Sequence, residues 1–254
     1  MSDTIRVFSD AWKVMVGRLP APTLKEGDGV VTYFGNVPLL FFNLSVVERP
    51  AATFAELRGL LKTAGERAAM CEHPSGVVLR SDWMPAGWEA ILKELGLAPL
   101  FPLTGMECDA LLPPRRPPAA LEIRRVADAA TARDLAVVNA HAYPLPEESM
   151  GCICNMRLYQ ADTFGFVGYA EGKPVTSAVS FPAAGTVYIA LVATEPEAQG
   201  KGYAETVMRR AVTEGRRAMG TLRTTLHASD MGMPLYRSMG YAVGPKLILV
   251  GKPE

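Results

Sequence analysis

The chain has 254 residues, 49% of them hydrophobic, and its 26 Lys and Arg residues balance 26 Asp and Glu residues. That length allows one large domain or two of about 100–150 residues. The apolar share excludes a disordered chain, and zero net charge gives no global attraction to nucleic acid or an anionic membrane surface. The opening MSDTIRVFSDAWK carries Asp3 and Asp10 and holds no apolar core of a leader or anchor. No later apolar run reaches the roughly 18–20 residues of a spanning helix, so a cytoplasmic protein is expected. Cys71, Cys108, Cys152 and Cys154 then read as reduced thiols. The pair Cys152-Ile153-Cys154 lacks both zinc-knuckle spacing and further ligands, so no metal is expected.

Taken in chain order, residues 39–47 are an apolar strand followed by Pro50, residues 53–69 a helix and residues 76–81 a strand. Residues 88–95 form a short helix ending at Gly96. Residues 113–120, PPRRPPAA, hold four prolines in eight positions and resist both helix and sheet. They read as a linker between a domain at 1–112 and a domain at 121–254. Beyond it, residues 121–126 alternate apolar and charged as a strand does, and Asp128 offers an N-cap to a helix through about residue 140. Residues 164–170 and 174–181 are strands joined by a turn at Glu171-Gly172-Lys173, and 186–194, TVYIALVAT, is a β-prone buried strand. After Pro196 comes a glycine segment and a helix over 202–219, with Val207, Ala211 and Ala218 toward a sheet and Arg209, Glu214 and Arg217 toward water. A strand at 221–228, a short helix at 232–239 and closing strands at 241–251 complete the chain.

The first half repeats the latter part of this order. Pro50 and Pro196 both follow apolar strands, and they lie 46 and 44 positions before Gly96 and Gly240. Lys93-Glu94-Leu95-Gly96-Leu97 echoes Arg237-Ser238-Met239-Gly240-Tyr241. The pattern is that of a tandem duplication.

The segment Gln199-Gly200-Lys201-Gly202-Tyr203-Ala204 joins a buried strand to an amphipathic helix. The first turn of a helix carries unpaired N–H groups and a partial positive charge, and glycines let its backbone approach an anion closely. The segment resembles the Q/R-x-x-G-x-G/A signature of the GNAT N-acetyltransferase superfamily, with Gln199, Gly202 and Ala204 at the defined positions. Thr194 and Pro196 stand where that family has V-x-P, and Leu235-Tyr236-Arg237-Ser238-Met239-Gly240-Tyr241 is similar to its LYxxxGF segment. The resemblance covers about residues 121–254. It implies an α/β fold with a mixed sheet splayed between its fourth and fifth strands, here as two tandem GNAT-like acyl-CoA N-acyltransferase domains.

It implies also that acetyl-CoA is the co-substrate. Pantetheine would lie along main-chain groups of Val192, Ala193 and Thr194. The pyrophosphate would lie on Gln199, Gly200, Lys201, Gly202, Tyr203 and Ala204. Tyr236 would be the general acid for the departing thiolate, and a main-chain N–H near Val192 or Ala193 the oxyanion donor. The strand at 186–194 lacks the glutamate that many members use as base. Glu147, Glu148, His141, His227 or a relayed water remain as candidates. Residues 140–156, rich in Pro and Met, would form the wall for the acceptor. That acceptor is expected to be an amine of a small molecule or peptide with an apolar body, not a nucleic acid or a membrane. The first half has Ala51-Ala52-Thr53-Phe54-Ala55-Glu56-Leu57 after Pro50, and Leu92 where the second half has Tyr236. It is expected to keep the fold without the chemistry and to act as a scaffold. A non-catalytic acyl-CoA-binding regulatory module is the alternative to an enzyme.

Overall fold

The computed structural model describes residues 3–160 and 162–253. The chain divides into two compact units that are not contiguous in sequence. One holds the residues up to Met106, His227–Met233 and the chain from Val243; the other holds Glu107–Leu226 and Pro234–Ala242. The proline-rich residues 113–120 thus lie within the second unit. Leu112 N–H donates to the Met239 carbonyl, and Ala119 N–H to Thr206 Oγ1.

The first unit opens with α1 (Thr4–Gly17), capped by the Asp3 side chain on the N–H of Ile5. Its apolar residues Ile5, Phe8, Trp12, Met15 and Val16 recur at helical spacing. Phe8 and Trp12 stack with ring centroids 3.9 Å apart. Strands β1 (Thr23–Gly27) and β2 (Val30–Phe34) form a hairpin at Asp28-Gly29, where φ is +57° and +74°. An Asp-Gly pair of positive φ between apolar runs is a strong short hairpin signal. The apolar run at 39–47 is a strand only over β3 (Asn43–Val47), because Leu40–Phe42 winds into a 3-10 turn held by Phe42 N–H on the Leu39 carbonyl. There follow α2 (Phe54–Ala68), β4 (Gly76–Arg80), α3 (Glu89–Glu94) and β5 (Ala98–Cys108).

In the second unit, β6 (Glu122–Arg125) is followed by α4 (Ala129–Ala142), whose Asp128 cap and Thr131 form a reciprocal capping box. Strands β7 (Phe164–Ala170), β8 (Lys173–Ala183) and β9 (Thr186–Thr194) form two hairpins whose turns, Glu171-Gly172 and Ala184-Gly185, again have positive φ. Then come α5 (Tyr203–Met219), β10 (Thr224–Ala228), α6 (Met233–Ser238) and one closing strand, β11 (Ala242–Gly251).

Strand order in the first unit is β1-β2-β3-β4-β11-β5, and in the second β10-β9-β8-β7-β6. Each unit contains one parallel pair with a helix crossing over: β3–α2–β4 and β9–α5–β10. The closing strand β11 belongs to the first unit, antiparallel to β4 with Val250 opposite Val77. Its Val250 is buried there with Val30, Leu57, Leu60, Leu79, Ile91 and Leu92. Residues 1–112 therefore lack a strand of the sheet they build.

Helix α5 buries Val207, Met208, Ala211, Val212 and Gly215. Ala218, expected on that stripe, is exposed. The buried face runs through Gly215 instead, where an added Cβ would come within 2.6 Å of Val187 Cγ1 and 3.0 Å of Ser180 Oγ. The helix lies that close to the sheet because position 215 has no side chain. Arg209, expected in water, folds back on Glu205 and donates to the Leu112 carbonyl at 2.7 Å. No helix among the described residues is long and apolar enough to cross a membrane.

Candidate active site

The site is built where β9 leaves β10. The parallel pairing runs Thr224 to Val187, Thr225 to Tyr188 and Leu226 to Ile189, and it ends there. From Ala190 onward, β9 keeps β8 on one side, and its pairing with β10 has ended.

On the β8 side the ladder slips. Ser177 faces Ala193 while Val179 faces Ala190, so β9 carries one residue more than its partner across this step. The extra residue is accommodated at Leu191, whose φ is +51°. A bulge of this kind breaks the alternation of the strand and turns main-chain groups out of the ladder. It falls at the expected pantetheine residues Val192, Ala193 and Thr194, of which Ala193 is buried and the other two half-buried.

Beyond Pro196–Ala198, the chain passes Gly200 and Gly202 at φ of +75° and +80°, and Gly202 is the N-cap of α5. No side chain caps the helix. A Cβ built on either glycine meets no atom within 4 Å, so open space faces the backbone. An L-residue at either place would adopt positive φ at a cost of roughly 1 kcal/mol or more. Tyr203 and Ala204 form the first turn of α5, and Gln199 and Lys201 are exposed beside it. Bare N–H groups, the helix dipole and an open cradle fit a phosphate-bearing ligand.

Tyr236 on α6 is 8% exposed, and its ring meets that of Tyr241 edge-on at 6.0 Å between centroids. Burial pushes its phenol well above the ordinary range, and the neighbouring phenols of Tyr143 and Tyr241 add to the rise. The phenol is thereby held in its protonated form.

The four candidate bases differ in setting. His141 Nδ1 lies 2.9 Å from Glu195 Oε1 and its Nε2 3.3 Å from Glu147 Oε1. The Glu195 carboxylate, and after it Glu147, hold the His141 imidazolium above its usual pKa, so His141 stays protonated further toward neutral pH. Glu195, 54 positions from His141 in sequence, had no place among the residues expected here. Glu147 and Glu148 are exposed on the 3-10 helix Glu147–Cys154. His227 lies in the first unit, with Nε2 2.8 Å from Thr4 Oγ1 and Phe8 edge-on to its ring. Burial lowers its pKa to about 3, so it is neutral and weakly basic. The Cys152 thiol is pushed up by burial to about 12 and that of Cys154 is raised for the same reason; both are inert thiols. Among the described residues no group of three or more His, Cys, Asp or Glu could hold a metal ion.

The second unit thus holds a mixed sheet that opens between two parallel strands, beside a glycine-led and uncapped helix. Residues 129–241 match the model of the acetyltransferase (GNAT) family. The match supports a function of the N-acetyltransferase type, and proteins of this family use acetyl-CoA.

Among solved structures, the chain is similar over its whole length to a GCN5-related N-acetyltransferase from Kribbella flavida, at TM-score 0.74 and 20% identity, covering 97% of that chain. It is similar also to a functionally unknown conserved protein from Staphylococcus epidermidis, at TM-score 0.66 and 15% identity, covering 91% of this chain and 93% of that one. A GCN5-related N-acetyltransferase from Sphaerobacter thermophilus matches at TM-score 0.59 and 15% identity, over 97% of this chain and 90% of that one. At these identities the likeness is one of fold. Among curated proteins, none matches.

Proposed function

We propose that the protein transfers an acetyl group from acetyl-CoA to a primary amine of a small molecule or peptide, by direct attack within a ternary complex. The observation that carries this reading is the uncapped N-terminus of α5 at Gly202, reached directly from a strand whose pairing with β10 has ended. Acetyl-CoA supplies the activated thioester. Gln199, Gly200, Lys201, Gly202, Tyr203 and Ala204 bind the pyrophosphate through main-chain donors and the dipole of α5. The main chain of Val192, Ala193 and Thr194 aligns the pantetheine arm, and an N–H at Val192 or Ala193 faces the developing oxyanion. Tyr236 holds a proton ready for the thiolate. His227 is too weak a base for a neutral-pH reaction, and His141 and Glu147 are engaged with each other, so proton removal relayed by water to Glu148 fits best. The ring of Tyr143, 43% exposed at the end of α4, favours an acceptor with an apolar body. The first unit is read as a GNAT-like copy without this equipment.

The test is a ligand-dependent thermal shift. At 100 times its dissociation constant, acetyl-CoA should stabilise the wild type by about 2.7 kcal/mol. Gly202→Asp puts a carboxylate where the phosphate belongs and should abolish the shift. Equal shifts in both proteins would place the donor elsewhere, and a panel of primary amines followed by thiol release then separates an enzyme from a binding module.

A further inference from the structure

Three consecutive carbonyls of the β9 bulge are each held by a side-chain hydroxyl from outside the strand. Ser177 Oγ donates to the Leu191 carbonyl at 2.9 Å, Tyr143 Oη to that of Val192 at 3.3 Å and Thr176 Oγ1 to that of Ala193 at 2.8 Å. Ser177 and Thr176 come from β8 and Tyr143 from the end of α4. Ala193 stays in register with Ser177 on β8, so the hydroxyls add to the ladder there, and around the bulge they fix the direction of main-chain groups that the broken register would otherwise leave loose.

Behind Ser177 stands Asn139, which is 0% exposed. Its Nδ2 donates both to the Leu135 carbonyl, at 2.8 Å, and to Ser177 Oγ, at 2.9 Å. The Leu135 carbonyl accepts only, so the amide nitrogen must face it, and the same nitrogen then faces Ser177. A serine hydroxyl that accepts from Asn139 points its own hydrogen onward, to Leu191. The arrangement leaves Asn139 Oδ1 buried without a hydrogen-bond partner. A leucine, with the same branched arrangement of heavy atoms, would avoid that orphaned oxygen, so shape alone does not call for an asparagine here. Leu191 meanwhile is held at φ +51°, a conformation disfavoured for a branched side chain. An orphaned buried oxygen and a strained leucine, linked through one serine, are the kind of local violation that a functional site retains.

We propose that Asn139, Ser177, Tyr143 and Thr176 form a clamp of positioning residues that fixes the Leu191–Ala193 main chain through its carbonyls, and thereby the direction of the Val192 N–H toward the acyl carbonyl. The clamp rests on the acetyl-transfer reading of the site and acts entirely through the backbone. Ser177 is its centre, because it alone connects the orienting amide to the strained residue. The clamp requires no change in the pyrophosphate cradle, which lies beyond Pro196.

The test uses four full-length variants: Ser177→Ala, Ser177→Thr, Leu191→Gly, and the double variant Ser177→Ala with Leu191→Gly. Three quantities are read: acetyl-CoA affinity by calorimetry, kcat for thiol release with the best amine of a primary-amine panel, and amide hydrogen exchange at Val192 and Ala193. Ser177→Ala should lower kcat roughly 10- to 100-fold, since small misplacements of reacting groups have effects of that order. It should leave acetyl-CoA affinity within about threefold, below 1 kcal/mol, and speed exchange at the two amides. Ser177→Thr keeps the donor and should stay near wild type. Leu191→Gly removes the cost of positive φ, so the double variant should recover most of the lost kcat. Wild-type kcat in Ser177→Ala, or a double variant as slow as the single one, would overturn the clamp. Should Ser177→Ala fail to fold, Tyr143→Phe removes the Val192 contact from an exposed ring and must show the same split between kcat and affinity. A wild type that binds no acetyl-CoA refutes the function instead, while the exchange rates still decide whether Ser177 holds the bulge.

Discussion

Helices α2 and α5 both cross over between parallel strands after a proline, yet they begin in opposite ways. At the start of α2, Thr53 Oγ1 accepts from Glu56 N–H at 3.2 Å, and Glu56 Oε2 accepts from the N–H groups of Thr53 at 3.2 Å and Ala52 at 2.7 Å. The helix supplies its own anion and its N-terminus is closed. At the start of α5, Gly202 offers no side chain, and the first acidic residue, Glu205, turns away to Arg209 at 2.9 Å. That N-terminus is left open to an external anion. The strands that lead in differ likewise. Strand β3 pairs in unbroken register with β2 and β4, whereas β9 bulges at Leu191 and parts from β10 after Ile189. A crossover of the same topology can close its helix N-terminus by satisfying its own backbone, with no change in strand pairing.

The largest expected effect separates Tyr236 from its counterpart Leu92, which is 1% exposed in the first unit's core. Tyr236→Phe should lower kcat about 100-fold or more while leaving acetyl-CoA affinity unchanged, because a general acid contributes at the transition state alone. Equal kcat in stopped-flow or steady-state thiol release would reduce Tyr236 to a packing residue like Leu92.

The glycines inside the two helices sharpen the contrast. Gly215→Ala in α5 forces a Cβ against Val187 and should destabilise by about 1–3 kcal/mol. Gly59→Ala in α2 meets nothing within 4 Å and should stabilise by about 0.5–1 kcal/mol. Urea unfolding of both variants measures the pair, and a Gly215→Ala variant as stable as the wild type would show that position 215 does not set the approach of α5 to the sheet.

The closed cap of α2 is itself open to attack. Thr53→Ala should cost about 1 kcal/mol of stability, and it should create no second acetyl-CoA site because no glycine cradle precedes α2. Calorimetry that found a second site would mean that capping alone silences the first crossover.

The smallest effect concerns His141. Its folded pKa is raised, chiefly by Glu195, so its stabilising contribution is present below the ordinary histidine range and is lost as pH rises through the raised value. Glu195→Gln should bring the His141 resonance titration back down toward about 6.5. With His141 Nε2 and Nδ1 partners both at the surface, the change in stability should be slight. An unchanged titration would remove Glu195 from its place beside the imidazole.

Most of the second unit was legible because its signals are local. Asp128 and the Glu171-Gly172 turn act through contacts a few residues apart, and β7 and β9 begin and end where their patterning places them. The glycine segment was legible for the same reason, since positive φ at Gly200 and Gly202 is a property that residue type announces. In the first unit, α1 and the Asp28-Gly29 hairpin carried comparable signals in helical spacing and a turn dipeptide.

Other features had no local signal. Nothing in the sequence around Leu191 marks a positive φ, because the bulge is imposed by register against β8 and by hydroxyls 14 to 49 positions away in sequence. Glu195 reaches His141 across 54 positions. Strand β11 reads as an ordinary closing strand of the second half, and it is the pairing of Val250 with Val77 that assigns it to the first unit. Patterning along a strand specifies which face is apolar but leaves open which edge it joins, since any strand presents the same N–H and C=O groups to either neighbour. The sequence by itself therefore determined the elements, the glycine cradle and the tyrosine. Only the tertiary structure decided which strand completes which unit, and that the main chain bulges at Leu191.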